Sequence, residues 1–141
     1  MMAKAAATQM LAGVPLFAGL STKHLKRVRD LAEEADYMAG ASLVKEGTEG
    51  DAFYVIIEGL AKVMVGKRAI NQLMPGDYFG EISLLDGGLR SASVVSETPL
   101  KVLVIDRAPF LKLIESEGSI AIALLETTAR AIRRTDRSMS G

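Results

Sequence analysis

The sequence predicts a mainly β protein with flanking helices. The expected form is an antiparallel, jelly-roll-like β-roll of about eight strands, with N-terminal helices before it and two C-terminal helices after it. Three observations lead there. Nine of the 13 glycines lie between Gly40 and Gly88, so most chain reversals fall in that stretch. Short apolar segments run between those glycines, spaced like the strands of a sandwich, roll or barrel. On either side, apolar residues recur at helical spacing instead.

Taken in order, Met10–Leu20 predicts a short helix and a tight apolar turn around Pro15 and Phe17. Ser21 is a good N-cap for a helix reaching Ala35. Along it Leu25, Val28, Leu31, Ala32 and Ala35 recur at helical spacing, with Lys23, Lys26, Arg27 and Arg29 between them. Ala52–Glu58 and Leu60–Val65 read as strands joined near Gly59. Gly66-Lys67-Arg68 turns the chain into a strand at Ala69–Met74, and Pro75-Gly76-Asp77 turns it again. Ser93–Ser96 and Leu100–Ile105 supply two more strands, with a turn at Glu97–Pro99. Asp106 caps a helix through Glu115, with Pro109 in its first turn. Gly118 separates that helix from a longer one running from Ser119 toward Arg137. One domain results: an N-terminal helical segment at 1–36, the roll at 37–105, and C-terminal helices at 106–138.

Composition removes several function classes. Lys plus Arg equals Asp plus Glu at 17 each, so no global field draws the chain to nucleic acid or membrane. With no Cys there is no disulfide scaffold, thiolate metal site or Cys nucleophile. A single His argues against ordinary zinc coordination and His-based acid–base catalysis, and so against most hydrolases; the chain is expected not to be an enzyme. No metal or cofactor is expected. Lys4 and the apolar stretch to Leu20 faintly resemble a signal peptide, but Gly13, Pro15 and Gly19 interrupt it. No run of about 18 apolar residues occurs, so the expectation is a cytoplasmic protein without a membrane span.

Phe79-Gly80-Glu81-Ile82-Ser83-Leu84-Leu85-Asp86-Gly87-Gly88-Leu89-Arg90-Ser91-Ala92-Ser93-Val94 carries the chemistry. A strand end meets Gly80, a short apolar helical stretch follows, and Gly87-Gly88 reverses the chain ahead of Arg90. This makes a small anion cradle: Gly80 lets backbone approach a ligand, and the first amides of the helix are free to donate. Arg90 adds a planar, permanently charged fork for phosphate oxygens. Glu81 can accept hydrogen bonds from a sugar hydroxyl. A cation for phosphate and a carboxylate for ribose on one loop suit a nucleotide. The plainer alternative is an internal Glu81–Arg90 ion pair that staples the loop.

The same segment resembles the phosphate-binding cassette of cyclic-nucleotide-binding domains, the family of the catabolite activator protein and the regulatory subunit of protein kinase A. The resemblance covers nearly the whole chain. Leu16-Phe17-Ala18-Gly19-Leu20 is similar to the family's helical entry, Lys45-Glu46-Gly47-Thr48-Glu49-Gly50-Asp51-Ala52-Phe53-Tyr54-Val55-Ile56 to its roll, and Leu73–Glu81 to its approach to the cassette. The resemblance implies that Glu81 binds the ribose 2′-hydroxyl. It also implies that backbone amides near Gly80, Ile82 and Ser83, with Arg90 and Ser91, hold the cyclic phosphate. Leu89 stands where Pro often precedes the Arg, and Ser83 where Ala is frequent; neither removes a ligand group. An ungapped pairing places Thr135 where the catabolite activator protein touches the base with a threonine. Ser91 stands where the family often has Ala in cAMP readers and Thr in cGMP readers, although the catabolite activator protein also has Ser and binds cAMP.

Leu125, Thr128, Ile132 and Thr135 share one face of the last helix, able to pack on the roll as a lid. The same pattern fits a partly polar dimer seam equally well, which leaves a homodimer open. Arg130, Arg133, Arg134 and Arg137 make a basic helix end, explained by the helix dipole and solvation. No helix-turn-helix follows, so direct DNA binding is not expected. His24 reads as an exposed helix residue without a role, and Tyr37, Tyr54 and Tyr78 as filling of the roll. The expected function is a bacterial-type cyclic-nucleotide sensor preferring cAMP, which signals to a protein effector through its C-terminal helix. The alternatives are a cGMP-preferring sensor or a ligand-free interaction scaffold of the same fold.

Overall fold

The computed structural model describes the backbone of residues 2–140 and side chains through Asp136; the side chain of Arg137 lies outside the described residues. The N-terminal helices are α1 (Lys4–Ala12) and α2 (Thr22–Arg29), with a 3-10 turn at Pro15–Phe17 between them. The strands are β1 (Glu33–Tyr37), β2 (Ser42–Val44), β3 (Ala52–Glu58), β4 (Ala61–Val65), β5 (Arg68–Leu73), β6 (Tyr78–Phe79), β7 (Ser93–Ser96) and β8 (Leu100–Asp106). A short six-residue helix α3 (Glu81–Asp86) interrupts them, and α4 (Arg107–Ser116) and α5 (Gly118–Ser140) follow the last strand. The strands form two four-stranded antiparallel sheets, ordered β1-β8-β3-β6 and β2-β7-β4-β5.

Strand β3 shows why the sequence folds this way. Ala52 through Ile56 are all buried, because both faces of the strand are covered. Ala52, Tyr54 and Ile56 point between the sheets, where they meet Ala61, Leu73, Val94 and Val102. Phe53 and Val55 point the other way, onto Phe17, Val28, Phe110 and Ile120 of the helices. Phe53 meets Phe17 edge-on, with ring centroids 5.7 Å apart. One strand thus fixes the two-layer roll and the helical layer together.

Two boundaries differ from the sequence expectation. The helix capped by Ser21, whose Oγ accepts from the His24 N–H at 3.2 Å, stops at Arg29 and not Ala35. Glu33–Tyr37 is a strand paired to β8, from Glu33 opposite Val104 to Tyr37 opposite Leu100, so the roll begins inside the segment read as helical. Ala35 and Tyr37 join the inter-sheet core at spacing two, and the ladder with β8 overrides the helical count. The first helix also starts earlier, at Lys4. Asp106 occupies the N-cap of α4, but its side chain makes no capping bond.

Helix α5 docks through buried Ile120 and Leu124 beside α4 and the 3-10 turn. The face expected to cover the roll does not do so: Leu125 and Ile132 are exposed, as is Thr135. Among the described residues no helix is long and apolar enough to cross a membrane.

Candidate ligand-binding site

Strand β6 ends at Gly80, which has φ +89° and N-caps α3. A left-handed residue at this point turns the chain sharply enough for the Leu84 N–H to reach Gly80 O at 3.0 Å. The N–H groups of Glu81, Ile82 and Ser83 then have no intrahelical acceptors. At the other end, the Gly87 N–H donates to Ser83 O at 2.8 Å, and the Gly88 N–H to Asp86 Oδ1 at 2.7 Å. The returning chain is bonded to the loop before β3: the Gly50 N–H donates to Gly88 O at 2.9 Å and the Arg90 N–H to Thr48 O at 2.7 Å. Gly50 is required by space, since a Cβ there would fall on the Ser83 side chain.

These bonds enclose a cavity of about 400 Å³, lined by Gly80, Glu81, Ile82, Ser83, Arg90 and Ser91 together. Its volume lies in the range of small-ligand pockets. The apolar wall is Val44, Val94 and Val63, which sit opposite one another across β2, β7 and β4, with Phe79 beside them. Sequence reasoning missed this wall, because its residues meet only through long-range strand pairing. Ile82 and Leu89, each 68% exposed, form an apolar rim.

Arg90 is 7% exposed, and its Nη2 donates to Ala52 O at 2.7 Å. Among the described residues no carboxylate pairs with it, so the loop-stapling ion pair with Glu81 is not formed. Glu81 likewise lines the cavity with no ion-pair partner. A guanidinium held out of water without a counter-charge is costly, and an anion in the cavity would offset that cost. Behind it Tyr54 stacks on Phe79 at 4.7 Å and 11°. Burial, and then Tyr37, push the Tyr54 phenol up to about 12, while Arg90 acts in the opposite direction. The Tyr78 phenol is also raised, by burial first, then by the Glu81 and Asp77 carboxylates. Both phenols therefore stay neutral at ordinary pH.

Thr135 is not brought to the cavity. It is exposed on α5, and its hydroxyl donates to Ala131 O at 3.2 Å. His24 is half-buried, not exposed, with Nε2 3.3 Å from Ser119 Oγ and 3.8 Å from Glu117. Among the described residues no group of three or more His, Cys, Asp or Glu could hold a metal ion.

A β-roll with a cavity sized for a small ligand, amides at one end and a buried arginine in its wall suits a receptor domain for a small anionic ligand. The family model for the cyclic nucleotide-binding domain matches residues 34–117, and the chain belongs to that family. It is 30% identical over 139 residues to a CRP-like cAMP-activated global transcriptional regulator of Mycobacterium tuberculosis, covering 94% of this chain and 61% of that one. It is 36% identical over 111 residues to a cGMP-dependent protein kinase of Caenorhabditis briggsae, covering 74% and 15% respectively. The crystal structure of the N-terminal domain of a transcriptional regulator from Streptomyces coelicolor superposes with a TM-score of 0.82 at 30% identity, covering 92% of this chain and 94% of that one. The chain spans less than two thirds of the length of these curated relatives.

Proposed function

We propose that the protein is a cyclic-nucleotide sensor that prefers cAMP and is not a catalyst. The single observation that carries this reading is the buried Arg90 guanidinium, unpaired by any described carboxylate, beside a cavity that Glu81 also lines. The cyclic phosphate would take the amides of Glu81, Ile82 and Ser83 with Arg90 and Ser91, and Glu81 would take the ribose 2′-hydroxyl. The base would lie toward the apolar wall and rim. Thr135 could reach it only if α5 moved, and that movement is the proposed signal to a protein effector. A homodimer through the exposed face of α5 fits the same picture, as does a cytoplasmic setting. Ser91 stands where the catabolite activator protein also has Ser and binds cAMP, which supports the cAMP preference in this reading.

Isothermal titration of folded protein, shown free of co-purified nucleotide, tests it. Binding of cAMP at micromolar or tighter affinity, with cGMP weaker, is the expected result. A tighter cGMP complex would reverse the preference. Binding of neither nucleotide would leave the roll as a ligand-free scaffold.

A further inference from the structure

The sensor reading leaves one half-buried cation, Arg107, unused. Arg107 is the first residue of α4, and its backbone N–H donates to Asp51 O at 2.8 Å, tying the helix start to the head of β3. Its side chain runs instead to the far end of the cassette. Nη2 donates to Leu85 O at 3.0 Å, in the last turn of α3. The guanidinium lies against Gly87, so closely that a Cβ there would sit 3.1 Å from Cζ. Its Nε is buried and finds no acceptor.

Each of these features has a physical consequence. A six-residue helix leaves most of its carbonyls without intrahelical donors, and Arg107 satisfies one that the chain itself cannot. A planar fork suits this place, because it can bond Leu85 O while lying flat under a residue without a side chain. A buried Nε–H without an acceptor carries a desolvation cost, and that cost falls on the Arg107 contact. Arg107 belongs to α4, and only Glu117 separates α4 from α5.

We propose that Arg107 is a positioning residue that couples the cassette to the C-terminal helices, through its hold on Leu85 O and Gly87. The proposal rests on the sensor reading above. Ligand bound at the N-terminal end of α3 would shift that helix, and Arg107 would carry the shift into α4 and on to α5.

The chain has no native Cys, so spin labels at Lys67→Cys, in the turn after β4, and Ala129→Cys, on α5, would be unique. Pulsed distance measurements with and without saturating cAMP would be made on the wild-type background, Arg107→Lys and Arg107→Met, alongside titration and thermal unfolding. The wild-type background should bind cAMP and change its label distance. Arg107→Met should still bind, about tenfold more weakly, and lose most of that change; Arg107→Lys should recover part of it. If Arg107→Met does not fold, Arg107→Lys carries the comparison and should show a reduced change. A folded Arg107→Met, or in its absence a folded Arg107→Lys, with the full wild-type change overturns the proposal, as does a wild type that binds without any change. A wild type that binds no cyclic nucleotide instead overturns the sensor reading itself.

Discussion

Arg90→Ala is expected to weaken cAMP binding by at least ten- to a hundredfold while the roll still folds. Charge-assisted hydrogen bonds contribute about 1.5–3 kcal/mol each, and 1.4 kcal/mol is a factor of ten in affinity. Arg90 is buried in the cavity wall and is held there by Ala52 O, not by a carboxylate. Its removal therefore leaves no protein anion unpaired, and the loss should fall on the ligand. Arg90→Lys should recover little, because a point charge cannot keep the bond to Ala52 O and offer a fork to phosphate at once. Calorimetry on both variants, with thermal unfolding to confirm the fold, is the check. Wild-type affinity in Arg90→Ala would remove Arg90 from the site.

Gly80→Ala should lose both stability and binding. Its φ of +89° costs an L-residue about 1–2 kcal/mol. In addition, the new Cβ would stand 2.6 Å from Arg90 Nη1 and 2.8 Å from Ala52 O. The carbonyl belongs to a core strand and cannot retreat, so the guanidinium must move and its bond to Ala52 O must break. Overpacking of this kind typically adds about 1–3 kcal/mol, which for a chain of this size lowers the melting temperature by roughly 10 °C in total. Gly40→Ala is the matched control. Gly40 has φ +82° with nothing within 4 Å of a Cβ, so it should show the backbone cost alone and bind normally. Equal behaviour of the two variants would mean that the approach of Gly80 to Arg90 is not what shapes the site.

The sequence was most legible where local signals and tertiary packing agree. Ala52–Glu58 and Ser93–Ser96 are strands at the bounds their composition predicts, because each is an apolar run cut off by turn residues. The cassette was legible because Gly80, Glu81, Arg90 and Ser91 lie close in sequence on one segment, although the bonds to Thr48, Gly50 and Ala52 that hold it in place were not. Where pairing partners are remote, the reading failed. Glu33–Ala35 counted as helix because Leu31, Ala32 and Ala35 extend a helical spacing, and only β8, some seventy residues later, makes it part of a strand. Arg107 gave no signal, since Leu85 O and Gly87, which it holds, lie some twenty residues earlier and no local pattern joins them to it. Thr135 sits on a helix whose placement is set by Ile120 and Leu124 against α4 and the 3-10 turn, and no motif encodes that.

The most direct test of the Glu81–Arg90 site is a titration cycle with cAMP and its 2′-deoxy analogue, on wild type and on Glu81→Ala. A carboxylate that accepts from the ribose 2′-hydroxyl should make wild type favour cAMP over the analogue by about ten- to a hundredfold. Glu81→Ala should bind both ligands weakly and equally. Discrimination that persists undiminished in Glu81→Ala, or a wild type that does not distinguish the two, would contradict the assignment of this cavity to a cyclic nucleotide's ribose and phosphate.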